Sequence, residues 1–336
     1  MSTALDCITL GGATRDTLFF TREGSLVNNS RDPLRQVLVG FEYGAKILAS
    51  SCLFALGGGG ANVAVGAARL GLRAAAFLSV GSDQDGSATI GNLRHENVAT
   101  FGVTKHPALR TGFTFVVVTG FGKDHVAFLY RGANDALAVR RTDLERRTTR
   151  WIYLSSLGEQ AWKRISPVLL GVVRNRPVKL AWNPGERQLA LGYTKLRPLL
   201  KKTDVLLLNK DEATELILSS GVRLRPALRR LPALLKGVQR FGPQLVVITD
   251  GKKGAAVYNG HRGHALPALR SKVVDTTGAG DAFGAGFIAG LRQLHDLEPA
   301  LRLALKNSAA ACSVPGAQGG LLRWREVARG IDHPQP

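Results

Sequence analysis

Asp275-Thr276-Thr277-Gly278-Ala279-Gly280-Asp281-Ala282-Phe283 is the stretch that decides the fold. Ser271-Lys272-Val273-Val274 before it reads as the end of a strand. The small apolar residues after it, through Ala289, suit a helix buried in a core. A strand, a glycine turn and a helix start together form an anion site. The first N–H groups of a helix have no partner within it, and the macrodipole adds partial positive charge there. Gly278 and Gly280, with Ala279 between them, let backbone approach a phosphate with no Cβ in the way. Asp281 does not suit simple binding, because a carboxylate repels phosphate. It makes chemical sense as a base that takes the proton of a hydroxyl attacking phosphorus. The alternative is a tight turn whose Asp caps a helix.

Working outward, short apolar runs recur with helical patterns between several of them. Leu5–Leu10 reads as the first central strand and Ala61–Leu70 as an Ala/Val-rich helix closed by Gly71. Further strands are expected at Ala74–Val80, Trp151–Ser155, Val178–Trp182, Asp204–Leu208 and Leu245–Thr249. Repeated β-α units imply an α/β fold, a doubly wound and mostly parallel sheet flanked by helices. Residues 17–48 and 101–131 break that rhythm with alternating runs such as Phe113–Val118 and His125–Tyr130, the latter pair joined by a hairpin-like turn at Thr119–Asp124. They read as a small β-lid inserted into one domain spanning 1–330, and 331–336 reads as a loose tail.

The strand ends carry the chemistry-bearing residues, since ligands of such sheets sit beyond the carboxyl ends of the strands. Asp16 follows the first strand and would face that cleft, where a carboxylate can accept hydrogen bonds from two hydroxyls. Capping a turn is its alternative. Gly57-Gly58-Gly59-Gly60-Ala61-Asn62 permits close backbone approach, and Asn62 offers a donor and an acceptor to a hydroxylated ligand. Asn209 and Glu212 open the segment after a clean apolar strand, where capping with an acidic first turn is the plain alternative. Thr249-Asp250-Gly251-Lys252-Lys253-Gly254 follows another strand, but it is not a Walker A loop. Arg131 could reach a substrate or lie on the surface.

Asp275–Phe283 resembles the C-terminal signature of the ribokinase-like (PfkB) carbohydrate kinases, and the resemblance runs over nearly the whole chain with the signatures in family order. It implies Asp281 as catalytic base with Gly278, Ala279 and Gly280 as the anion hole. Asp16, Gly58, Gly59, Asn62 and Arg131 would meet the sugar. The family pattern has Lys where this chain has Gly59, and Ser155-Ser156-Leu157 lacks a Glu that ribokinases carry. Asn183-Pro184-Gly185 is similar to the Asp-Pro-Gly of some nucleoside kinases of the family. By the same resemblance ATP would lie along Asn209, Thr249, Gly251, Gly254 and Asn307. Glu212 and Asn209 would position Mg²⁺ through water, as suits an ion that keeps several waters. A K⁺ site would use Asp275 and Thr277. The family's lid often supports a homodimer.

Composition bounds the partners. The formal net charge is +20, yet the basic residues spread from Arg15 to Arg329 and thicken at 140–150 and 223–230 without interleaved aromatics. That is read as solvated surface rather than a nucleic-acid platform. No apolar run approaches the ~20 residues that span a bilayer, and the first residues lack a signal-peptide pattern. The expectation is a soluble cytoplasmic enzyme. Cys7, Cys52 and Cys312 read as reduced core thiols. Three functions stand: a sugar kinase, a nucleoside kinase of the same fold, and a nucleic-acid-binding regulator that retains the fold.

Overall fold

The computed structural model describes residues 4–29, 37–120, 125–222 and 230–328. The expected hairpin tip at 121–124, most of the basic cluster at 223–230 and the tail at 331–336 lie outside the described residues. Nine strands form the main sheet: β1 (Leu5–Leu10), β6 (Ala74–Gly81), β7 (Ala99–His106), β10 (Thr149–Leu154), β11 (Lys179–Trp182), β12 (Val205–Asn209), β13 (Leu245–Thr249), β14 (Ala255–Tyr258) and β15 (Gly263–Leu266). Their order is β15-β14-β13-β12-β11-β10-β1-β6-β7, parallel except for β14 and β15. The chain leaves β1 toward β6 and β7, then crosses to β10 on the other side. The topological switch therefore lies between β1 and β10, where ligands of open α/β sheets bind.

Alternation along these strands divides the core in two. Ile8, Leu10, Ile152, Leu154, Leu180, Trp182, Leu206, Leu208, Val246 and Ile248 face one side. There α4 (Glu159–Asn175), α7 (Lys210–Leu218) and α8 (Leu231–Gln239) cover them. Trp162 of α4 stacks on Trp182 with centroids 5.3 Å apart. Cys7, Trp151, Tyr153, Ala181, Val205, Leu207 and Val247 face the other side, against α9 (Ala279–Gln293) and α10 (Leu297–Ala311). Each fully buried Leu or Ile contributes about 1.5–3 kcal/mol. Residues Ala282 through Gly290 of α9 are all buried. Gly284 is needed there, since a Cβ would sit 2.1 Å from the Tyr153 hydroxyl.

A second sheet, ordered β5-β2-β8-β9, comprises β2 (Thr14–Thr21), β5 (Ser51–Gly57), β8 (Gly112–Thr119) and β9 (His125–Tyr130). Several sequence expectations change. Ala99–His106 is not lid but the edge strand of the main sheet, paired in parallel with β6, because its first residues return beneath α2 (Gln84–His95). Ser51–Gly57, outside the expected insertions, is a lid strand whose Gly57 leads straight into α1 (Gly59–Arg69). Ser271–Val274 is not a strand either. It is an extended segment tied by Val274 N–H to Cys312 O at the end of α10. Of the cysteines only Cys7 is a core thiol; Cys52 is exposed on the lid and Cys312 is half-buried. Among the described residues, no helix is long and apolar enough to cross a membrane.

Candidate active site

The carboxyl ends of β1 and β10 meet the amino ends of α1 and α9 at the switch point. Gly278 caps α9 in the left-handed conformation, φ 75°, and a Cβ there would come 2.5 Å from the Ala317 methyl. Only glycine lets the turn close so tightly against the chain after α10. Ala279 N–H is spent on Thr276 O, and the first helical bond is Ala282 N–H to Gly278 O. The open donors at this terminus are therefore the N–H groups of Gly280 and Asp281; the expected contribution of Ala279 N–H is corrected to a turn bond. A Cβ on Gly280 would meet nothing within 4 Å, so it faces open space.

Asp281 lies in the first turn, partly open to the cleft. Asn62 Nδ2 donates to its Oδ2 at 2.8 Å. Burial lifts the carboxyl from 3.8 to about 6; the Asn62 bond opposes that shift and the charge of Asp16 adds to it. Gly59 lies directly over it, since a Cβ there would sit 3.1 Å from Asp281 Oδ1 and from Ser155 Cβ. Beneath lies the Tyr153 ring, whose hydroxyl is buried without a partner and pushed well above its usual pKa by burial, with Asp281 adding.

Asp16 occupies the lid strand β2, opposite Thr114 of β8 and Ala55 of β5. It is only 5% exposed and its Oδ1 has no hydrogen-bond partner. Burial raises its pKa, the Thr14 and Thr114 hydroxyls oppose that, and the Asp275 charge adds to it. A buried carboxylate left short of donors is costly, so this atom is fitted for a donor that the described residues do not supply.

The structure thus brings together Asp16, Gly58, Gly59, Asn62 and Gly278–Asp281. It changes the expected role of Asn62. Its amide is held between Asp281 and Gln318, whose Nε2 donates to Asn62 Oδ1 at 3.0 Å. The Asn62 amide is therefore engaged with Asp281 and Gln318 before any ligand. Arg131 lines a neighbouring cavity of about 660 Å³ with Tyr130, Asp135, Ser156, Glu186 and Arg187, Ser156 following the Ser155 that lies beside Gly59.

Farther along the strand ends, Asn209 and Thr249 are register neighbours on β12 and β13. Asn209 Oδ1 accepts from Glu212 N–H at 2.8 Å and Glu212 Oε2 accepts from Asn209 N–H at 2.7 Å, a reciprocal cap of α7. Burial raises the pKa of Glu212, and the Asn209 N–H opposes that. Gly251 is exposed at the turn after β13. Gly254 packs against the end of β15, where a Cβ would sit 2.0 Å from Leu266 O, so its role is the fold of the turn. Lys210 and Asp250, unremarked in the sequence, pair at 3.2 Å and fasten the two turns together. Asn307 is corrected outright. It is wholly buried, its Nδ2 donates to Ala282 O and its Oδ1 accepts from Leu322 N–H, so it joins α10 to α9 and does not face a nucleotide. Asp275 accepts from Thr277 N–H and Gly316 N–H, stapling the turn before α9 to the one after α10.

No cluster of three or more His, Cys, Asp or Glu among the described residues could hold a metal ion by itself. Glu212, a carboxylate at the strand ends, is the kind of oxygen donor that Mg²⁺ takes through water. The hollow at the opposite, amino ends of the strands, lined by Arg150, Lys179, Arg292 and His295, is remote from this chemistry.

An α/β sheet with a lid, and a carboxyl beside an open helix terminus, is an architecture suited to a small-molecule phosphotransferase. The pfkB family carbohydrate kinase model matches residues 34–324, and the chain belongs to that family of phosphotransferases acting on an alcohol group. It is 30% identical over 298 residues to a ribokinase of Bacillus subtilis, covering 84% of this chain and 90% of that one. Among solved structures it is similar to Arabidopsis thaliana ribokinase complexed with ribose and ATP (TM-score 0.81, 21% identity, 99% and 100% of the two chains). It is also similar to the Burkholderia thailandensis nucleoside kinase in complex with inosine (TM-score 0.78, 19% identity, 97% of each chain).

Proposed function

We propose that this protein phosphorylates a hydroxyl of a small sugar at the expense of ATP, with Asp281 as general base. The observation that carries this reading is the pairing of an open helix terminus with a carboxyl whose pKa stands at about 6. At neutral pH such a group is mostly ionised yet still basic enough to take a proton, the compromise a general base needs. Asp281 Oδ1 accepts the proton as the hydroxyl oxygen attacks the γ-phosphorus in line; the bond to the β–γ bridging oxygen breaks and ADP departs. The N–H groups of Gly280 and Asp281 receive the charge on the transferring oxygens. Asp16 Oδ1 accepts from hydroxyls of the sugar; Gly58, at φ 92° and packed on the Gly12–Ala13 backbone, turns the chain into α1, and Gly59 keeps a side chain out of the space beside Asp281 Oδ1. The donor lies along Asn209, Thr249 and Gly251. Glu212 and Asn209 would hold Mg²⁺ through water, and the ion would supply charge neutralisation. A K⁺ ion near Asp275 would share oxygens that already accept two N–H groups, and turnover in potassium against tetramethylammonium salts tests it.

A nucleoside is the second reading, favoured by the size of the cavity beside Tyr130 and Arg131, which is in the range that holds drug-sized ligands. Asn183 argues less for it than its sequence does, because its amide is spent on Leu207 O. Release of ADP from Mg·ATP, measured with D-ribose, D-fructose, sugar phosphates and inosine, decides between the readings. Turnover with none of them, while ATP still binds, overturns both.

The lid supports a homodimer. Strand alternation puts Asp16 toward the cleft and turns Phe19, Phe54, Phe113, Phe115 and Phe128 to the opposite face, where Phe54 and Phe128 are 59% and 58% exposed. So much aromatic surface on one outer face suits a second copy of the lid.

A further inference from the structure

We infer that Gln318 is a positioning residue for Asp281, working through the amide of Asn62; the inference rests on the base role proposed for Asp281. Asn92 Nδ2 on α2 donates to Gln318 Oε1 at 2.8 Å, Gln318 Nε2 donates to Asn62 Oδ1 at 3.0 Å, and Asn62 Nδ2 donates to Asp281 Oδ2 at 2.8 Å. The direction of this chain follows from its end. An ionised carboxylate only accepts, so Asn62 must present its nitrogen to Asp281 and its oxygen to Gln318. Gln318 must then present nitrogen to Asn62 and oxygen to Asn92.

The Gln318 side chain is not required to hold its own turn. Arg69 Nη1 donates to the backbone oxygens of Gln318 and Leu321 at 2.7 and 3.1 Å, and Arg69 is itself held by two bonds to Glu96. What the side chain does is anchor the far end of the Asn62 amide, so that its Nδ2 stays on Asp281. Without it the amide keeps one partner only and can swing away from Asp281. The carboxyl would lose part of its donor, so it would hold its proton more tightly and orient less well toward the acceptor hydroxyl. The bond also uses Oδ2 alone, which leaves Oδ1 beside Gly59 as the oxygen that works.

The test reads Asp281 directly and needs no acceptor. The protein is made with aspartate ¹³C-labelled at the carboxyl, and the Asp281 resonance is assigned by its loss in Asp281→Asn. Gln318→Leu is expected to move its titration upward by about 0.3–1 unit, the scale of one neutral hydrogen bond. Gln318→Glu, nearly isosteric but lacking the donor once ionised, is expected to move it further. Asn92→Leu frees Gln318 Oε1 and is expected to give a smaller shift of the same sign. That variant carries the test if Gln318→Leu does not fold. Where D-ribose, D-fructose or inosine is phosphorylated, kcat in Gln318→Leu is expected to fall about 3- to 10-fold, with KM for Mg·ATP unchanged. An Asp281 titration within about 0.2 unit of wild type in both Gln318 variants overturns the inference. Full turnover by Asp281→Asn instead removes the base role and leaves the titration result standing, so the two failures are distinct.

Discussion

Asn62 Nδ2 donates to Asp281 Oδ2 at 2.8 Å across 219 positions of sequence, joining the first turn of α1 to the first turn of α9. Two helix amino termini converge there, and both favour negative charge at the point between them. Burial works the other way and leaves the carboxyl at about 6. The carboxyl is therefore held in tension between a site that wants an anion and one that disfavours a buried charge.

Asp281→Asn is expected to lower turnover about 10²–10⁴-fold, the scale of losing a general base. The sign for stability is opposite. A carboxyl whose folded pKa lies above its unfolded value favours the folded state below that unfolded value, and this advantage is lost as pH rises through about 6. Above that pH the buried charge is a cost that asparagine removes. Thermal unfolding at pH 8 should show the variant no less stable than wild type. The kcat of wild type should decline below about pH 6. A variant that is inactive because it is unfolded would refute this account.

Gly278 and Gly280 should separate fold from chemistry. Alanine at Gly278 must adopt φ 75° at about 1–2 kcal/mol and collide with Ala317, so both melting temperature and turnover should fall. Alanine at Gly280 meets no protein atom and is the better helix former by about 1 kcal/mol. Its melting temperature should hold or rise, while turnover falls about 10²–10³-fold because the methyl stands before the open N–H groups. Equal turnover in Gly280→Ala and wild type would show that no phosphate approaches there.

The course of the chain was legible wherever one physical pattern dominated. Leu245–Thr249, a continuous apolar run, is the strand expected, and the buried stripe of α9 follows from Ala282–Ala289. The alternating Phe101–His106 segment misled because an edge strand and a lid strand share the same pattern when each has one open face. Ser51–Gly57 carries little apolar alternation, so only pairing with β2 marks it as a strand. The placement of Gly278 in the turn and of Asp281 in the first turn of α9 was readable from local spacing. The duties of Asn62, Asn307 and Gln318 were not, because an amide's role is set by what the fold places opposite it. For Asn307 that is the carbonyl of Ala282, and nothing in a polar residue near the end of a helix announces that it will be buried.

Asp16→Ala should weaken the acceptor and spare the nucleotide. The carboxylate lies on the lid, and its unpartnered Oδ1 has no link to Asn209 or Thr249. Loss of a charge-assisted hydrogen bond corresponds to a rise of about 10- to 100-fold in acceptor KM. Calorimetry should find ATP binding unchanged. Equal loss of both ligands would refute the division between lid and sheet.

The outer face of the lid predicts the assembly. Phe115 packs between Phe19, at 4.7 Å, and Phe128, at 6.1 Å, so the aromatics form one continuous patch and not scattered residues. Light scattering should give the mass of a dimer at micromolar protein, and Phe128→Glu should shift it toward the monomer. A wild-type mass near 35.9 kDa throughout that range would overturn the proposed pairing.

Acid should loosen the site from behind. The Arg69 guanidinium, bonded to Glu96 through two nitrogens, holds that carboxyl below its usual 4.5, with burial opposing and Arg323 assisting. A depressed carboxyl contributes stability that is present above its unfolded pKa and lost as pH falls through its folded pKa. Melting temperature should therefore drop as pH goes below about 4.5, and Glu96→Gln should flatten that dependence. At neutral pH the variant should lose about 1.5–3 kcal/mol, the worth of hydrogen bonds to a charged group in a well-buried pair. Arg69 also grips the carbonyls of Gln318 and Leu321. Releasing it should relax the turn that carries Gln318, so Glu96→Gln is expected to lower kcat several-fold although Glu96 touches neither substrate. Parallel melting curves for variant and wild type from pH 3 to 7 would remove both expectations together, since both depend on the same guanidinium being held.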